Sequence, residues 1–101
     1  TNRTMKAIFL ACNQALYGEV LQEMNKIGMR GYTSWEEVLG CGMKDGEPHL
    51  GDYVWPTLKS AIVTMAEDDQ ADKFLAAVKK IDEANPQLGL RAFWWQIGGT
   101  F

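Results

Sequence analysis

Met5-Lys6-Ala7-Ile8-Phe9-Leu10-Ala11-Cys12-Asn13 is a short apolar run that ends on a residue suited to cap a helix. The run is too short to read as a helix by itself, so Met5 to Cys12 is expected to form a first strand. Downstream of Asn13, the apolar residues Leu16, Val20, Met24 and Ile27 recur at steps of four, four and three. They draw one stripe along a helix that Gly28 can end in the left-handed conformation. Gly31 to Leu39 (GYTSWEEVL) is rich in β-branched and aromatic residues and reads as a second strand. Its alternation is interrupted at Glu36-Glu37, where a bulge is expected.

The same reading carries to the C-terminus. Pro56 belongs at the start of a strand, and Leu58 to Ala66 (LKSAIVTMA) follows as the third. Asp68 or Asp69 is expected to cap a second helix with the stripe Ala71, Phe74, Leu75, Val78 and Ile81, which Pro86 stops. Gly89 to Ile97 (GLRAFWWQI) is the fourth strand. The order βαββαβ predicts an α+β, ferredoxin-like domain spanning 1–101, with both helices on one face of a four-stranded antiparallel sheet. Residues 1–4 are expected to form a flexible N-terminus.

One helix-free sheet face should show polar residues at alternate positions. Instead Ile8, Leu10 and Cys12 oppose Ala7, Phe9 and Ala11, and Ala92 and Trp94 oppose Phe93, Trp95 and Ile97. Both faces are apolar, which predicts that a second copy of the chain covers the open one.

Composition narrows the function. The chain has 101 residues, 47% hydrophobic and 23% charged, enough for one folded domain and no more. A net charge of -3 and dispersed Lys and Arg argue against nucleic acid or anionic lipid as partner. No apolar run approaches the roughly 18 residues of a membrane span. Thr1-Asn2-Arg3-Thr4 is unlike a signal peptide, so a cytoplasmic location and no direct membrane insertion are expected. Trp35, Trp55, Trp94 and Trp95 have no flanking basic residues and read as packing surfaces rather than as platforms for bases.

Between the second and third strands, residues 40–52 carry four Gly and one Pro in thirteen positions, and form a long loop. The Gly40-Cys41-Gly42 start of that loop lets backbone approach a ligand and leaves amides to cradle an anion. His49, the only histidine, lies near Glu47, with Cys41, Met43 and Asp52 close along the chain. Cys41, Glu47 and His49 are therefore candidate metal ligands, and thiolate with imidazole suits copper or zinc. No nucleophile sits beside a plausible base, and Glu36 and Glu37 alternate in facing, so no enzyme is expected.

Five segments together resemble the PII signalling protein superfamily. They are Met5-Lys6-Ala7-Ile8; Gly28-Met29-Arg30-Gly31-Tyr32-Thr33; Glu37-Val38-Leu39-Gly40-Cys41-Gly42 at the start of the family's T-loop; Glu67-Asp68-Asp69-Gln70-Ala71-Asp72; and Gly89-Leu90-Arg91-Ala92-Phe93. The resemblance implies a homotrimeric regulator that binds an effector such as an adenine nucleotide between subunits. It also implies contact with a transporter or enzyme target through the loop 42–52. The ligand-binding candidates are then Gly40, Cys41, Gly42, Lys44 and Arg91, the last standing where the family has a phosphate-binding Lys. The chain departs from the family at Asn85-Pro86-Gln87-Leu88-Gly89, which replaces a glycine-rich phosphate loop, and in the absence of basic residues after Arg91. A triphosphate would face few cations there. The superfamily's CutA-like relatives give the alternative, a metal-binding or metal-tolerance protein with its site near His49.

Overall fold

A computed structural model describes residues 4–40 and 57–101. Strand β1 spans Met5–Asn13, helix α1 Tyr17–Ile27, β2 Tyr32–Gly40, β3 Thr57–Glu67, α2 Asp68–Ala84 and β4 Leu90–Gln96. The expected βαββαβ order is therefore present. All neighbouring strands are antiparallel, in the order β2-β3-β1-β4.

Local chemistry explains most of the boundaries. The Asn13 side chain accepts a hydrogen bond from the Ala15 backbone N–H at 2.9 Å, but it caps a short 3-10 turn over Gln14–Leu16 rather than α1 itself. At the far end of α1, Gly28 adopts φ 88°, and its N–H and that of Met29 both bond the Met24 carbonyl. Only a residue without Cβ takes that conformation cheaply. The capping position of α2 is Glu67, not Asp68 or Asp69 as expected; both aspartates lie inside the first turn, where the partial positive charge of the helix end favours them.

The bulge falls where the alternation breaks. Pairing of β2 with β3 skips between Trp35 and Val38, so Glu36 and Glu37 together stand opposite Ser60. The Ser60 hydroxyl and Gln14 Nε2 both donate to the Glu36 carbonyl, which holds the bulge in place.

The core lies between the sheet and the helices. Ile8, Leu10 and Cys12 of β1, Ile62 of β3 and Leu90 of β4 are buried beneath Val20 and Met24 of α1 and Ala71, Phe74, Val78 and Ile81 of α2. Two polar side chains are buried with them, and each donates to a backbone carbonyl: Ser60 to Glu36, and Thr64 to Gly31 at 2.8 Å.

Candidate functional site

The strand registers assign every inward and outward position of the open face. One row crosses the sheet as Arg91, Ala11, Ala61 and Trp35, and the next as Phe93, Phe9, Val63 and Thr33. A third runs Trp95, Ala7 and Met65. Phe93 is 56% exposed and Trp35 47%, so the face is an apolar surface open to water. Its aromatics stand mainly on the two edge strands, beside the small Ala7, Ala11 and Ala61 of the inner strands.

Two cations interrupt this surface. Arg91 is the one charged residue of β4 and is exposed. Lys59, paired with Asn13 and Val38, shares the face through its odd position in β3. Neither has an ion-pair partner among the described residues. Lys59 was not among the residues expected from sequence, although its alternation with Ala61, Val63 and Met65 carried the signal.

The candidate ligand residues do not assemble within one chain. Gly40 ends β2 at one edge of the sheet and Arg91 sits in β4 at the other. Three strand spacings across, and four residues along β3 from Ala61 to Thr57, separate them by about 20 Å. The level of Gly40 instead matches the connection 85–89 beyond β4, because Asn13 N–H bonds the Gly89 carbonyl at 3.0 Å two residues further along than Arg91. That connection is a tight turn, with Leu88 N–H donating to the Asn85 carbonyl at 3.1 Å and Gly89 at φ 87°. A cleft between the β4 edge of one copy and the β2 edge of another would bring Gly40, this turn and Arg91 to one end of the seam.

Cys41, Gly42, Lys44, Glu47 and His49 lie outside the described residues, as do the rest of the loop and residues 1–3. Among the described residues no three His, Cys, Asp or Glu side chains group as a metal site. Cys12 is buried on the helix side of β1, and burial pushes its thiol up to about 11. Such a thiol is inert rather than reactive. No helix among the described residues is long and apolar enough to cross a membrane.

A polar clasp closes the opposite end of the sheet. Asp68 accepts from the Thr4 hydroxyl and from Gln96 Nε2, the latter at 3.2 Å, while Gln96 also bonds the Met5 carbonyl at 2.8 Å. Lys6 pairs with Asp72 at 2.8 Å. The Thr4 hydrogen bond chiefly holds the Asp68 carboxyl below its ordinary range, and the hydrogen bond to Asp72 chiefly raises Lys6. These residues tie β1, β4 and the start of α2 together.

The fold has solved counterparts. A GlnK–ATP complex from B. subtilis matches with TM-score 0.73 and 19% identity, over 96% of this chain and 84% of that one. CPII from Thiomonas intermedia K12, bound to ADP and bicarbonate, matches with TM-score 0.64 and 18% identity over 95% and 90%. A PII-like signaling protein from Thermus thermophilus matches with TM-score 0.64 and 17% identity over 94% and 88%. At these identities the likeness is one of fold. No curated protein sequence matches the chain. The family model for nitrogen regulatory protein P-II matches residues 5–95, from the first residue of β1 almost to the end of β4, and the chain belongs to that family.

Proposed function

We propose that this protein is a non-enzymatic signal-transducing regulator that works as a homotrimer. An anionic effector of the adenine-nucleotide class binds in the clefts between subunits, and the loop 42–52 carries its presence to a target protein, a transporter or an enzyme. The observation that carries this reading is the placement of Gly40 and Arg91 at opposite edges of one sheet: a ligand can touch both only where two chains meet. Membership of the P-II family supports it, as do the fold's counterparts with ATP and with ADP and bicarbonate.

Local chemistry tilts the effector toward lower charge. The turn 85–89 is short, and Arg91 is the one cation in residues 85–101. A triphosphate would find few cations beside Arg91 and Lys44, whereas a nucleotide mono- or diphosphate, or a small oxyanion, asks for less.

Thermal-shift measurements with ATP, ADP, AMP, bicarbonate, copper and zinc test the proposal, since a ligand that prefers the native state raises its melting temperature. ADP or AMP should shift the protein more than ATP. A shift with copper or zinc alone, lost on His49→Ala, would replace this reading with the metal-binding one.

A further inference from the structure

We propose that Ser60 is a positioning residue for the anion cleft: by holding the carbonyl of the β2 bulge, it keeps a carboxylate from standing opposite Lys59. This deepens the effector reading above and rests on it.

The end of β2 has two registers open to it. In a regular strand, Trp35 on the open face would be followed by Glu36 on the helix side and Glu37 on the open face, opposite Lys59. Opposite charges directly across an antiparallel pair attract, and a regular ladder keeps its backbone bonds, so that register has two advantages. The chain adopts the other one. Pairing skips from Trp35–Ala61 to Val38–Lys59, and Glu36 and Glu37 share the place opposite Ser60. Val38 thereby fills the position that Glu37 would have taken. Lys59 is left without an ion-pair partner among the described residues.

The bulge needs a hold against its regular competitor, and Ser60 supplies one. This residue is fully buried on the helix side of β3, level with Cys12, where a hydroxyl costs free energy unless it is bonded. It donates to the Glu36 carbonyl, and Gln14 Nε2 donates to the same oxygen at 3.3 Å from the 3-10 turn. A ladder carbonyl lies in the plane of the sheet. The Glu36 carbonyl is instead reached by two groups from the helix layer, so it is turned out of that plane, and both bonds belong to the bulged register alone. The consequence is electrostatic. Asn13 and Val38 flank Lys59, and Ala11 flanks Arg91, so an anion arriving at this end of the open face meets two cations that no carboxylate neutralises. In the regular register Glu37 would occupy Lys59 and repel the anion.

Ser60→Ala tests the hold. Cross-strand proton contacts of Lys59, read by NMR without ligand, should move from Val38 to Glu37, and the Kd for ADP should rise at least about tenfold. Ser60→Thr keeps the hydroxyl and should leave both as in wild type. If Ser60→Ala does not fold, Ser60→Cys, a weak donor of similar size, carries the same comparison. Val38→Glu tests the electrostatics without touching the hold: it should weaken ADP binding at least about tenfold, and Val38→Gln should stay within about twofold of wild type. A Ser60→Ala protein that keeps the contact between Val38 and Lys59 overturns the hold. A Val38→Glu protein that binds ADP as wild type does overturns the electrostatic role. A wild-type protein that binds neither ADP, AMP nor bicarbonate overturns the effector reading and the electrostatic role together, while the Lys59 contact still decides the hold.

Discussion

Trp94 and Trp95 are consecutive in β4 and equally prominent, at 55% and 50% exposed, yet the strand turns them to opposite faces of the sheet. Trp95 stands on the open face in the row with Ala7 and Met65, and Trp94 on the helix side, level with Ile8 and Thr64. If the open face is the subunit interface, the two should behave very differently. A tryptophan carries up to roughly 250 Å² of surface. About half of that remains exposed on Trp95, and covering it at about 25 cal/mol per Å² contributes about 3 kcal/mol per subunit to assembly. Trp95→Ser should therefore weaken subunit association by about two orders of magnitude. Trp94→Ser removes as much exposed apolar surface from the other face, and should stay within about 0.5 kcal/mol, the usual range for a surface substitution. Sedimentation velocity over a dilution series of both variants makes the comparison. Equal effects, or dissociation by Trp94→Ser alone, would refute the assignment of the interface to the open face.

Three further outcomes follow from the fold. Gly28→Ala should cost about 1 kcal/mol in urea unfolding with an unchanged denaturant slope; an added Cβ would meet only Gln70 Nε2 at 3.9 Å, so the cost lies in the positive φ and not in a clash. Cys12, whose thiol is pushed up to about 11 from an ordinary 9.0, binds its proton more tightly folded than unfolded. Its contribution is complete below pH 9 and lost as pH rises toward 11, so Cys12→Ala should flatten the alkaline fall of stability measured by unfolding at successive pH values. Asp68, held below its ordinary 3.8, acts in the reverse sense: its contribution is present above that value and disappears as pH falls through the folded pKa. Asp68→Asn should make the acid limb shallower, and an acid limb as steep as wild type would show that the clasp with Thr4 and Gln96 does not couple to folding.

Much of the architecture was legible along the chain because it is written in short periods. The stripe Leu16, Val20, Met24 is buried as its spacing requires, Gly28 takes the left-handed conformation at the predicted stop, and Glu36-Glu37 form the bulge where alternation fails. The misread details are of another kind. The 3-10 turn between Asn13 and α1 and the shift of the α2 cap to Glu67 depend on how β1 and β3 deliver the chain to each helix. The Thr4 and Gln96 side chains, far away in sequence, occupy the Asp68 carboxylate that reading by local pattern assigned to capping. In the candidate site, Gly40 and Arg91 were identifiable by type and by family pattern, but not their separation. Cys41, Gly42, Lys44, Glu47 and His49 stand outside the described residues.

Alternation along β1 and β4 showed, with no structure at all, that this sheet has two apolar faces and helices for only one. Side-chain direction in a strand depends on neighbours one and two positions away, so local sequence suffices for it. Strand order does not: β2 and β4 become the edges through pairings between residues as far apart as Lys6 and Gln96. Those long-range pairings put the carboxylates of β2 and the guanidinium of β4 on opposite rims of the sheet. They also divide the candidate anion residues between the two rims and leave Trp35, Phe93 and Trp95 exposed on the helix-free face, which no local pattern could place side by side.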